Sequence, residues 1–173
     1  MIRRTFHSLQ RGVRQALGAL LCVLLSAAVC GAGEQVPFKA RFQGYAVLPG
    51  TPTDTPGVVI IDASVSGQAT HLGRFDERLT HYVDFNTLTF AGFAEFTAAD
   101  GSTFRTQVVG QAYPTDDPDW VTFDVTHTIV GGTGRFAGAT GTLYGVDGRF
   151  NLATGEDVGG YVGTISTQRG TAK

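Results

Sequence analysis

Apolar and polar side chains alternate with a period of two through most of this chain. In "WVTFDVTHTIV", one face collects the apolar side chains and a histidine: Val121, Phe123, Val125, His127 and Ile129. The residues between them, mostly threonine, form the other face. This period is typical of a strand that has one face on a core and the other in water. The alternation recurs in "RLTHYVDF" and "FKARFQGYAV", so it predicts a protein built of strands.

Turn signals separate these strands at short intervals, for example "VSGQ", "AADGS", "YPTDDPD" and "ATGED". We count eight or nine strands, with no stretch of helical period between them, which excludes βαβ units. The pattern predicts an antiparallel meander that is closed as a barrel or stacked as a sandwich. Glycines inside strands favour a small barrel, where strands bend sharply. They are Gly92, Gly110, Gly145 and Gly163.

Residues 1–33 are predicted to be a signal peptide. Four arginines and no acid precede an apolar run over 16–29, and small residues suited to cleavage follow in "SAAVCGAG". The run is shorter than the roughly 20 apolar residues of a membrane-spanning helix. We therefore expect residues 34–173 to form one exported domain, secreted or periplasmic, without a membrane span. Three alternatives stay open: a retained helical anchor, twin-arginine export through "RRTF", and lipid attachment at Cys30.

Removal of this leader changes the composition of the chain. Both cysteines, Cys22 and Cys30, lie in it, so the exported domain has no disulfide and no thiolate metal site. The exported domain then has nine Lys and Arg residues and 15 Asp and Glu residues, which gives a net charge of about −6. No basic patch remains, so nucleic acid and anionic membranes are poor partners. We expect no cofactor.

The glycine-rich stretch "IVGGTGRFAGATG" suggests either a phosphate-binding loop or a turn. A dinucleotide-binding loop must open a helix within a βαβ unit, whereas the "GATGTLYG" that follows alternates like a strand. The stretch also lacks the lysine of a phosphate loop. We interpret it as a structural turn in which Phe136 plugs one end of a barrel. The glycines that allow positive φ there are Gly131, Gly132 and Gly134.

The longer segment "VTHTIVGGTGRFAGATGTLYG" resembles the late-barrel signature of the allene oxide cyclase and dirigent superfamily. "GQATHLGRFDERL" and "TFAGFAEFTAADGSTF" resemble its early strand pair and central hairpin, and the resemblance spans most of residues 36–168. "ATHLGRF" together with "GGTGRFAGATG" is similar to small secreted bacterial members, which have no settled activity. The resemblance implies an eight-stranded antiparallel barrel of this calycin-like type, often assembled as a dimer or trimer. Plant cyclases carry a proline and polar partners where this chain has "THLG" at 70–73, so no catalytic residue is transferred.

Three histidines are candidates for a ligand pocket: His71, His81 and His127. By strand phase, His81 and His127 lie on apolar faces, and if those faces line the barrel both imidazoles point into one interior. There they would form an acid–base pair, or part of a metal site together with Glu77, which is in phase with His81. Alternatively, each is a buried histidine with one hydrogen bond. No H-x-H or H-E-x-x-H spacing supports a metal, and we expect none.

Glu95 is the fourth candidate for the pocket. It lies in phase with Ala91 and Phe93, on the face opposite Phe90 and Phe96. Beside aromatic side chains it would serve as a general acid or base; the alternative is a solvated residue on the outer face.

The size of the barrel sets the expected function. Eight strands leave an interior that side chains fill or that holds one small ligand. The many phenylalanines favour an interior filled by side chains, and the glycines within strands favour an interior with free space. We expect an exported, non-catalytic barrel that binds a small hydrophobic molecule or acts as an interaction module. The alternative is an isomerase or cyclase that acts on a hydrophobic intermediate inside the barrel.

Overall fold

The computed structural model describes residues 33–167, so the predicted signal peptide, apart from Gly33, lies outside the described residues. These residues form nine strands and one short 3-10 turn, Gly134–Phe136, with no α-helix among them. None of them forms a helix that is long and apolar enough to cross a membrane. The strands are β1 (Gln35–Ala46), β2 (Thr51–Pro52), β3 (Val58–Ala69), β4 (Gly73–Asp84), β5 (Thr89–Ala98), β6 (Thr103–Pro114), β7 (Trp120–Gly132), β8 (Gly141–Asn151) and β9 (Glu156–Ser166).

Eight of these strands close an antiparallel barrel. From β3 to β9, each strand pairs with the next along the chain, and β1 pairs with both β9 and β3. The two residues of β2 extend the sheet beside β3. The predicted antiparallel meander is therefore confirmed, and it closes as a barrel rather than stacking as a sandwich. Closure leaves none of the eight long strands with an unpaired edge.

Along each strand, side chains alternate between the interior and the outer face of the barrel. On β7, Val125, His127 and Ile129 are buried, whereas Thr128 and Val130 are exposed. The core is therefore the barrel interior, and the residues of each strand alternate between it and solvent.

One end of the barrel is filled with aromatic side chains. Phe96 and Phe104 stack with their ring centroids 4.4 Å apart. Phe38 and Phe136 each meet Phe104 edge to face, with centroids 6.3 and 5.5 Å away. Phe136, predicted as a plug, is fully buried in the 3-10 turn between β7 and β8. We call this the packed end; the turns β3–β4, β5–β6 and β7–β8 lie there.

The turn that carries Phe136 uses its glycines in two ways. Gly131 and Gly134 have φ values of 137° and 56°, in the left-handed region. Gly132 does not adopt positive φ, so the prediction is wrong for this residue. A Cβ on Gly132 would instead clash with the carbonyl oxygen of Thr103 on β6. Close approach of two backbones, rather than a left-handed conformation, is what requires glycine there.

Glycines that point inward make room for aromatic rings. Gly110 on β6 faces the ring of Phe90 on β5, and Gly159 on β9 faces the ring of Phe42 on β1. A side chain at either glycine would crowd the ring. Large and small residues thus alternate between neighbouring strands, which lets a narrow barrel hold several phenylalanines.

Candidate functional site

The end of the barrel opposite Phe136 opens into a cavity of about 180 Å³. Its lining is mostly apolar and comes from all eight long strands and the loops at this end. The apolar lining residues include Phe42, Ala46, Leu48, Ile61, Ala63, Leu79, Val83, Phe85, Leu88, Phe90, Ala112, Val121, Phe123, Val125, Phe150 and Leu152. The other lining residues are His81, His127, Asp157 and Tyr161. An apolar cavity of about 150 Å³ holds benzene, so this one has room for a ring and one small substituent.

Four buried polar side chains cluster beneath the cavity: Glu77 on β4, Thr106 on β6, His127 on β7 and Tyr161 on β9. Of these, His127 and Tyr161 line the cavity itself. All four occupy inward positions of their strands. The Tyr161 hydroxyl donates to the Glu77 carboxyl, 3.1 Å from Oε2 and 3.3 Å from Oε1. His127 Nδ1 lies 3.0 Å from Thr106 Oγ1 and 3.9 Å from Glu77 Oε1. We call these four residues the polar floor.

Aromatic packing holds the polar floor in place. The His127 ring meets Tyr161 and Phe96 edge to face, with centroids 4.8 and 5.7 Å away. Phe42 stacks on Tyr161 at 4.8 Å. Because Phe96 belongs to the packed end, the floor rests on the filled half of the barrel. Its rings are therefore in fixed orientations beneath the cavity.

Three buried polar atoms at this cavity have no hydrogen-bond partner in the described part of the chain. They are His81 Nε2, His127 Nε2 and Asp157 Oδ1. Buried polar atoms are nearly always paired, and each unpaired one costs about 1–3 kcal/mol. All three atoms belong to residues that line the cavity.

Burial moves both carboxyl groups of the site toward their neutral forms. It raises the pKa of Glu77 well above its ordinary value of 4.5, although the hydrogen bond from Tyr161 acts in the opposite direction. Burial raises the pKa of Asp157 from 3.8 to about 7. Asp157 therefore titrates close to neutral pH, whereas Glu77 holds its proton well above the ordinary range of a glutamate.

Burial also keeps the two histidines neutral. It lowers the pKa of His127 to about 3, with His81 contributing repulsion, and it lowers the pKa of His81 to about 4. The short approach of His127 to Glu77 is thus a contact between neutral groups and not an ion pair. At neutral pH Asp157 is the group of this cluster that changes charge.

The structure places the four sequence candidates at three different locations. His81 and His127 line the cavity. His71 is exposed in the β3–β4 turn at the packed end, where its Nε2 lies 3.1 Å from the Pro37 carbonyl oxygen. Glu95 lies on the outer face of β5 and accepts a 2.7 Å hydrogen bond from Arg105. Neither His71 nor Glu95 reaches the cavity. The prediction that these two residues belong to the pocket is therefore wrong.

Sequence reasoning missed three polar residues of the site, namely Thr106, Asp157 and Tyr161. The alternation of β6 around Phe104 and Val108 places Thr106 inward. On β9, counting back in steps of two from Ile165 leads to Tyr161 and Asp157. No group of three or more His, Cys, Asp or Glu within residues 33–167 could hold a metal ion.

Comparisons with known proteins assign no family to this barrel. No protein-family model matches the chain, and no curated protein or solved structure matches it either. The fold established for residues 33–167 is thus a closed eight-stranded antiparallel barrel with a small, mostly apolar cavity at one end.

Proposed function

We propose that this protein is an exported, non-catalytic barrel that binds one small, mainly apolar molecule in its open end. The observation that carries the proposal is the cavity itself, which has apolar walls and three unpaired polar atoms. Natural ligand pockets combine mostly apolar walls with a few placed polar groups. The ligand's apolar body would lie against Phe90 and Phe123, and its polar group would reach His127 or Asp157.

Native mass spectrometry of protein purified from its own host tests this proposal. We expect a retained mass on the order of 100 Da or more, since the cavity holds at least a ring. That mass should disappear when the same sample is denatured. A bare chain mass, together with failure to bind any ring-sized compound added in excess, would contradict the proposal. The intact mass also measures leader removal, because the chain would lack residues 1–33 after cleavage.

We further propose that the barrel is of the allene oxide cyclase and dirigent type and assembles as a dimer or trimer. The resemblance of the glycine turn supports the type. Exposed apolar side chains on the outer faces of β4, β5, β6, β8 and β9 support an assembly; they are Tyr82, Phe93, Val109, Tyr144 and Val162. Oligomer peaks in the same native spectrum would test the assembly.

An isomerase or cyclase is the second candidate, and one observation favours it. Asp157 has a pKa raised by burial to about 7, which suits a general acid or base at neutral pH. Incubating the protein with its recovered ligand in D₂O tests for proton transfer. Deuterium on a carbon of the ligand, reduced in Asp157→Asn, would support the enzyme. No incorporation would leave binding as the function.

A further inference from the structure

The cavity has acidic groups but no basic counterpart. Asp157 lines it and Glu77 lies beneath it, whereas none of the described residues that line it is Lys or Arg. His81 and His127 carry no charge at neutral pH, because burial lowers the pKa of each. A ligand carboxylate would meet the Asp157 carboxylate and no cation, which makes its desolvation costly. The balance of charge therefore favours a neutral or cationic ligand.

The unpaired atoms at the cavity suit a group that donates hydrogen bonds. Asp157 Oδ1 is an acceptor when the carboxyl is ionised. Two oxygen atoms lie near His127 Nδ1. Thr106 Oγ1 is 3.0 Å away and Glu77 Oε1 is 3.9 Å away. We assign the ring proton to Nδ1 on this basis, which leaves Nε2 as an acceptor. A primary ammonium group has three donors and no acceptor, so it complements these atoms.

The walls of the cavity suit the rest of such a ligand. Phe42 and Tyr161 stack 4.8 Å apart on one side, and Phe90 meets His81 and Phe123 at 5.3 and 6.2 Å on another. Aromatic faces attract cations, most strongly where water is excluded. Such walls also bury a ring of the size that the cavity admits.

We propose that the cavity takes a small aromatic or aliphatic primary amine as its ammonium ion, with Asp157 as the counter-ion and the apolar body among the phenylalanine rings. The inference rests on the proposed function, since it names the chemical class of the molecule bound there. Ionised Asp157 and the ammonium group form a charge-assisted hydrogen bond that a neutral ligand of the same size lacks.

Three ring compounds of similar size test the inference: benzylamine, benzyl alcohol and benzoate. Their affinities for the purified protein are measured by calorimetry near pH 8, where Asp157 is ionised and benzylamine is still mainly protonated. We expect benzylamine to bind at least about tenfold more tightly than benzyl alcohol, and benzoate to bind most weakly. Asp157→Asn should abolish the preference for benzylamine and retain the binding of benzyl alcohol. Asp76→Asn, which removes an exposed carboxylate on the outer face of β4, should leave all three affinities unchanged.

The outcomes separate this inference from the proposed function. Benzyl alcohol binding as tightly as benzylamine, or a benzylamine preference that survives Asp157→Asn, overturns the amine assignment and leaves a cavity for neutral molecules. Tightest binding of benzoate overturns it as well. If none of the three binds, the amine inference fails. The proposed function fails with it only if native mass spectrometry also finds a bare chain.

Discussion

Asp157 couples the stability of the barrel to pH. Burial raises the pKa of its carboxyl from 3.8 in a free chain to about 7 in the folded protein. Between these values the unfolded chain releases a proton that the folded protein keeps, so this group lowers stability as pH rises. Asp157→Asn removes the effect. We expect the free energy of unfolding of the variant, relative to wild type, to rise by up to about 1.4 kcal/mol per pH unit between about pH 4 and pH 7.

Urea unfolding of wild type and variant at about pH 4, 5.5 and 7 measures this difference. The other titratable groups at the cavity are Glu77 and His81 on β4, His127 on β7 and Tyr161 on β9. The histidines act with the opposite sign, because their lowered pKa values make stability fall as pH falls below about 6.5. The histidines are present in both proteins, so the difference between the curves reports Asp157 together with its raising effect on the pKa of Glu77. Parallel curves for wild type and Asp157→Asn would contradict the expectation.

Individual residues of the site differ in how well the sequence locates them. The alternation around His127 and His81 is regular, and it indicates an inward position for both and for Glu77. On β9 the pattern is inverted, because the outward positions include Val158 and Val162 and the inward ones include two glycines and Asp157. The hydrophobic pattern alone does not mark this face as inward; only a count in steps of two from Ile165 does. The inverted pattern of β9 is the reason why the sequence does not point to Tyr161 and Asp157.

At the level of the element, the β7–β8 turn stabilises the packed end through one side chain. Phe136 is fully buried against Phe104, and Arg135 contacts its ring while pairing with Asp100 at 3.4 Å. Phe136→Ala removes a large apolar contact and leaves a cavity, so we expect a loss of about 3–5 kcal/mol in the free energy of unfolding. Urea denaturation measures the loss.

The matched control for Phe136→Ala lies on the outer face of β1. Tyr45 is 64% exposed, so Tyr45→Ala should change stability by less than about 0.5 kcal/mol. Equal losses for the two variants would show that the turn does not plug the barrel. The sequence distinguishes this turn from a phosphate-binding loop, because a strand and not a helix follows its glycines. It cannot show that Gly132 is required by the approach of β6, since that contact joins segments distant in the chain.

On the scale of the whole molecule, the barrel is filled at one end and open at the other. The sequence predicts a closed meander but does not decide between a filled and an open interior, because it holds both phenylalanines and strand glycines. The structure shows that the interior is filled at one end of the barrel axis and open at the other. Phe38, Phe96, Phe104 and Phe136 fill the packed end, and the cavity lies above the polar floor. Which residues lie at the same height along the barrel axis depends on the register between neighbouring strands. The hydrophobic periodicity of a single strand does not specify that register.

The same substitution at two alanines beside Leu79 distinguishes the two halves. Ala63 on β3 and Ala94 on β5 both pair with Leu79, but Ala63 lines the cavity and Ala94 lies in the core outside it. Ala63→Leu should fill free space, abolish binding of benzyl alcohol and leave stability unchanged or raise it by up to about 1 kcal/mol. Ala94→Leu should overpack the core, cost about 1–3 kcal/mol and retain binding. Urea denaturation and calorimetry of both variants measure these effects. Equal destabilisation by the two variants, or binding that survives Ala63→Leu, would show that the interior is not divided in this way.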